Sequence, residues 1–118
     1  MKQHTIPKEE QIKALVQGSI YVLLKEYLAN PQIVDFRKYI SVTRADLEAF
    51  LSQNPQVAET YFQKYRDRES IHEVQMIEKV GSLYKVYEMD HSMPRFERSF
   101  STLYEAVAEH ILRSHGLY

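Results

Sequence analysis

The chain has 118 residues, 44% of them hydrophobic and 26% charged, with a formal net charge of -1, the make-up of one ordinary globular domain rather than of a disordered or membrane-embedded chain. With 3 Gly, 4 Pro and no Cys, collagen-like and linker-like readings are excluded, as are a disulfide framework, a thiolate metal site and a cysteine nucleophile. The near-zero charge also removes the uniform basic field of a non-specific nucleic-acid binder, and the missing thiols suit a reducing compartment, so the cytoplasm is the expected location.

Lys2 precedes a later apolar run, which raises a targeting signal as one reading. The run from Ile12 to Leu28 is interrupted by Lys13, Gln17, Ser19, Lys25 and Glu26, too polar for a membrane span of roughly 20 apolar residues. No small-residue cleavage site follows a short apolar core. The start is therefore expected to belong to the mature fold, and no membrane partner is expected.

Pro7 suits a first helical position, and Ile12, Leu15, Val16, Ile20, Leu23, Leu24, Tyr27 and Leu28 recur at helical spacing, which predicts one long first helix ending at Asn30-Pro31. Its run Ile20-Tyr21-Val22-Leu23-Leu24 is apolar nearly all round, so more than one side needs cover. The rest of the domain supplies it in one reading, and a second copy, giving a homodimer, in the other. Residues Gln32 to Ile40 predict one or two helical turns. Thr43 opens a clearer helix, with Asp46 completing a short-armed capping box and Leu47, Phe50 and Leu51 as its stripe. Asn54 is placed to cap a further helix that begins at Pro55 and buries Val57, Ala58, Tyr61, Phe62 and Tyr65. Arg66-Asp67-Arg68-Glu69 reads as its solvated end.

After Ser70 the period shifts from 3.6 toward 2, as helix gives way to strand. Gly81-Ser82 is a two-residue hairpin turn, and it pairs Val80 with Leu83, Lys79 with Tyr84, Glu78 with Lys85, Ile77 with Val86, Met76 with Tyr87, Gln75 with Glu88 and Val74 with Met89. Opposite charges and matched apolar surfaces then meet across the strands. A turn around His91-Ser92-Met93-Pro94 leads into a third antiparallel strand, Arg95 to Phe100. A last helix starts at Ser101 or Thr102, the latter forming a capping box with Glu105, and buries Leu103, Val107, Ile111 and Leu112 before a Gly116-Leu117 stop. The expected fold is α+β: helices, a three-stranded antiparallel meander and a C-terminal helix, in a single domain spanning 1–118.

The chain has no glycine-rich phosphate loop, no Gly-x-Ser-x-Gly elbow and no His-Glu-x-x-His pair, so the usual signatures of catalysis are missing. No two of His72, His91, His110 and His115 share one helical face; His110 and His115 lie about 140° apart around a helix. Scattered surface or helix-end histidines are the reading adopted, with His115 explained by the helix dipole. No metal, cofactor or catalytic residue is expected. Three short helices before a hairpin match the outline of a winged helix. However, the helix from Thr43 to Gln53 carries Asp46 and Glu48 against Arg44 alone, the wrong bias for a phosphate-lined groove, and the strands lack an RNA-recognition pattern. No nucleic-acid partner is expected.

The register assigns Val74, Met76, Val80, Leu83, Tyr87, Met89, Phe96 and Phe100 to the core face of the sheet. The opposite face then collects Glu73, Gln75, Ile77, Tyr84, Val86, Glu88, Asp90 and Glu97. If Met89 pairs with Phe96, Glu88 stands opposite Glu97, a like-charge pair that destabilises the isolated sheet and invites a cation. An apolar centre of Ile77, Tyr84 and Val86 inside an acidic rim has the layout of a binding patch for a basic protein partner.

The stretch Leu83-Tyr-Lys-Val-Tyr-Glu-Met-Asp, followed by Arg95-Phe-Glu-Arg-Ser-Phe-Ser-Thr-Leu-Tyr-Glu-Ala-Val-Ala-Glu-His-Ile-Leu, resembles the strand, strand and "Phe-polar-polar-Leu-x-Glu-Ala-Val" helix ending of small bacterial immunity proteins, which neutralise polymorphic or contact-dependent growth-inhibition toxins. The resemblance covers about the last third of the chain. It implies a cytoplasmic, non-catalytic inhibitor that binds one cognate toxin domain, often a nuclease, and blocks its active site. The alternatives are a small regulatory or adaptor domain, homodimeric through the first helix, and a winged-helix-like DNA binder.

Overall fold

In the computed structural model, which describes residues 6–27, 36–66, 75–90 and 93–117, the run expected as one long helix is two, α1 (Lys8–Gln17) and α2 (Ile20–Tyr27). The break falls at Gly18, whose φ of 74° is a left-handed conformation that costs glycine little and other residues more. The Gly18 N–H donates to the Leu15 carbonyl at 3.4 Å, the Ser19 N–H donates to the Ala14 carbonyl at 2.9 Å, and the Ser19 carbonyl then accepts from Leu23, so one helix ends and the next begins within two residues. The end expected at Asn30-Pro31 lies outside the described residues.

The chain divides into two compact units, Met1–Leu47 and Glu48–Tyr118. The first buries Leu15, Ile20 and Leu24 and is tied by a buried amide: Gln11 Nε2 donates to the Ile6 carbonyl at 2.7 Å and to Ser41 Oγ at 3.2 Å, while its Oε1 accepts from the Ser41 N–H at 2.8 Å. Every polar atom of that buried side chain is thus partnered, as burial requires. A 3₁₀ turn covers Phe36–Tyr39. Helix α3 (Arg44–Gln53) starts with the expected reciprocal cap, the Asp46 N–H donating to Thr43 Oγ1 and the Thr43 N–H to Asp46 Oδ2.

In the second unit, α4 (Pro55–Arg66) is followed by β1 (Gln75–Val80), β2 (Leu83–Asp90), β3 (Met93–Phe100) and α5 (Leu103–Ser114). The Asn54 carbonyl accepts from the Val57 and Ala58 N–H groups in the first turn of α4, but its side chain turns back and donates to the Phe50 carbonyl at 2.8 Å, closing the preceding helix rather than capping the next. The antiparallel sheet has the order β1-β2-β3. Its first hairpin has the expected register from Gln75–Glu88 to Val80–Leu83, turning on Gly81 at φ 61°; the Val74 pair lies outside the described residues.

Along β1 and β2 the core face of the sheet is the reverse of the expected one: Ile77 and Val86 are buried, whereas Val80 and Leu83 are exposed. On β3 Phe96 is exposed, but Phe100 is buried as expected. The helices decide this: both α4 and α5 contact the sheet on the Ile77–Val86 side, where the Phe62 ring of α4 meets Tyr84 edge-on at 5.6 Å. Apolar residues stand on both faces of β1 and β2, so alternation alone could not say which face the helices would take. Helix α5 is buried nearly all round, from Ala106 through Leu112, well beyond its expected stripe. It ends as expected, with the Leu117 N–H donating to the Leu112 carbonyl at 2.8 Å.

Candidate functional site

The second hairpin does not make the Met89–Phe96 pair. Val86 pairs with Arg98, but Glu88 pairs with Arg95 and Met89 with Pro94, so β3 carries one residue more than β2 over this stretch, which is a β-bulge. Phe96 sits in it at a φ of 56°, the one non-glycine residue with positive φ among the described residues. One extra residue shifts the register beyond it and moves the following side chains to opposite faces. The expected Glu88–Glu97 like-charge pair is therefore absent: Glu88 faces Arg95, and Glu97 lies on the other side of the sheet, 3.8 Å from Lys85.

The expected patch is dispersed by the same geometry. Ile77 and Val86 are buried, and the ring of Tyr84 packs on Phe62, so the apolar centre of that patch belongs to the core. Glu97 is on the opposite face, and Glu73 lies outside the described residues. Gln75, Glu88 and Asp90 do stay together, on the helix side of one end of the sheet, where Gln75 Nε2 donates to Glu88 Oε1 at 3.4 Å and Asp90 pairs with Arg95 at 3.4 Å.

Around this end the structure gathers residues that sequence reasoning missed. Glu109, buried in α5, accepts from Arg113 Nε at 2.5 Å and pairs with Arg98 at 3.7 Å. Arg113 Nη1 also donates to the Phe96 carbonyl at 2.8 Å, so the buried ion pair holds the bulge by its backbone. The Phe96 side chain itself is 70% exposed and Met93 beside it is exposed too. Gln75, Glu88, Phe96, Glu109 and Arg113 line a cavity of about 270 Å³. Glu109 and Arg113 stand four apart on a helix, a spacing that signals an ion pair; nothing in the sequence marks Phe96 as the bulge residue.

His110 is no surface histidine. It is buried in α5, with Nε2 3.1 Å from the Gln75 carbonyl and Nδ1 2.6 Å from the Tyr61 hydroxyl. A carbonyl only accepts, so Nε2 carries the proton, and Nδ1 of that tautomer accepts from Tyr61. This chain of bonds ties α4, α5 and the first residue of β1 behind the cavity. At the end of α5, burial pushes His115 below the ordinary histidine value, opposed in part by its hydrogen bond to the Ile111 carbonyl. His72 and His91 lie outside the described residues. On the outer sheet face, burial and then the nearby Glu78 carboxylate raise Tyr87 above the usual tyrosine value.

Among the described residues, no group of three or more His, Asp or Glu is placed to hold a metal ion, and no helix is long and apolar enough to cross a membrane. The chain matches no family model, no curated protein and no solved structure. The site itself combines an outward aromatic on a strained bulge, a carboxylate pair beside it, and a buried ion pair that holds the bulge backbone.

Proposed function

We propose that this protein is a non-catalytic, cytoplasmic binding protein of the immunity type, which docks a cognate toxin domain on the Met93–Phe96 end of its sheet. The observation that carries the reading is Phe96. A bulky residue at positive φ costs about 1–2 kcal/mol, and glycine or asparagine would avoid most of that cost. Phe96 spends it while leaving its ring 70% exposed, so the fold gains little from the ring in return. Strained positions concentrate where function needs them, and exposed aromatics beside a polar rim are the usual anchors of protein interfaces. Support also comes from the resemblance of the last third of the chain to immunity proteins, and from Glu88 and Asp90, which would face a basic toxin surface.

The test is co-expression with a toxin-domain gene found immediately upstream. The wild-type chain is expected to protect the cells and to co-purify with the toxin, while Phe96→Asp, folded by circular dichroism, loses both. A wild-type chain that neither binds nor protects overturns the reading, as does a Phe96→Asp variant that protects fully. A second reading, a regulatory domain paired through α2, rests on Tyr21 and Val22, both exposed on that helix. Light scattering that gives a monomer at high concentration removes it.

A further inference from the structure

We infer that the cavity lined by Gln75, Glu88, Phe96, Glu109 and Arg113 receives the guanidinium of an arginine side chain from the bound protein. The inference rests on the docking reading above and names what the partner must bring. The cavity, about 270 Å³, has room for one long side chain. Its unmet chemistry is on the acceptor side. Glu88 makes no ion pair among the described residues, and its one hydrogen bond is the long contact from Gln75 at 3.4 Å. Gln75 Oε1 is shielded from water with no donor, a state that costs free energy until a donor arrives. Arg113 does not answer this demand: its Nε is held by Glu109 and its Nη1 by the Phe96 carbonyl, and none of its donors reaches Gln75 Oε1. Two acceptors next to one exposed aromatic ring match a planar cation that donates in its plane and stacks through its face. A lysine ammonium would supply the charge without the plane, and an anion would meet the Glu88 carboxylate. When the guanidinium takes Glu88, the Gln75 amide is released from the carboxylate and turns its Oε1 toward the incoming N–H.

The experiment is a titration of the full ¹⁵N-labelled chain with N-acetyl-arginine amide, N-acetyl-lysine amide and N-acetyl-citrulline amide, the last a neutral shape-mate of arginine. The arginine compound is expected to give saturable shifts at the Gln75 side-chain amide and at the backbone N–H groups of Glu88 and Phe96. Citrulline, and arginine with the Glu88→Gln variant, are expected to bind about tenfold more weakly, the scale of one charge-assisted hydrogen bond. Glu59→Gln, on exposed α4 surface, leaves the titration unchanged. Absence of saturable shifts at these residues overturns the inference. So does citrulline or lysine binding as tightly as arginine, or a Glu88→Gln variant that binds arginine like wild type. The two readings fail separately: a toxin that binds a chain blind to arginine removes the cavity's role alone, whereas arginine binding without toxin binding removes the immunity reading alone.

Discussion

Replacing Phe96 with Gly separates what the residue does for the fold from what it does at the surface. The ring is 70% exposed, so about a third of an aromatic side chain's 150–250 Å² is covered, roughly 60 Å², and at about 25 cal/mol per Å² its loss costs about 1.5 kcal/mol as an upper bound. Glycine adds an entropic cost of about 0.5–1 kcal/mol. Against these, a φ of 56° is relieved, returning about 1–2 kcal/mol. The terms nearly cancel, and the expected change in unfolding free energy is within about 1 kcal/mol, a shift of a few degrees in Tm for a chain of this size. By contrast, Phe62→Ala, at a ring only 3% exposed, is expected to cost about 3–5 kcal/mol. Urea unfolding of both variants beside wild type gives the two values. A loss above about 2 kcal/mol in Phe96→Gly, with an unchanged denaturant slope, would show that the ring is a packing element and would refute the argument that its strain serves a partner.

Two further outcomes follow from the buried network and the end of α5. Tyr61→Phe removes the donor to His110 Nδ1 and leaves Ser114 Oγ, 3.4 Å away, as the nearer remaining hydroxyl, so it should destabilise by about 1–3 kcal/mol; a neutral result in urea would mean that the 2.6 Å contact contributes nothing. His115 has a lowered folded pKa because burial disfavours its cation. The unfolded chain therefore takes up the proton first, and stability present above the ordinary value of 6.5 is lost as pH falls through it toward the lower folded value. His115→Gln should flatten that part of the stability profile, and a difference from wild type that stays constant from about pH 8 to about pH 5 would contradict the assignment.

Local chemistry was enough to determine the element order from Thr43 onward, the Thr43–Asp46 cap, the register of the first hairpin and the Gly116-Leu117 stop, because each rests on residues a few positions apart. Gly18-Ser19 was equally legible as a helix break, but the apolar period on either side of it is continuous and outweighed it. What the sequence could not decide was which face of the sheet the helices would cover. Met76, Tyr87 and Met89 on one side and Ile77, Tyr84 and Val86 on the other are comparably apolar, and only the packing of α4 and α5 chose between them. The bulge at Phe96 was hidden for a related reason. It is fixed by Arg113, 17 residues away, donating to a backbone carbonyl, and that one extra residue separates Glu97 from Glu88 and opens the cavity. Pairing over a few residues is written in the chain, whereas the choice of face, and the strain a distant ion pair can hold in place, exist only once the elements have packed.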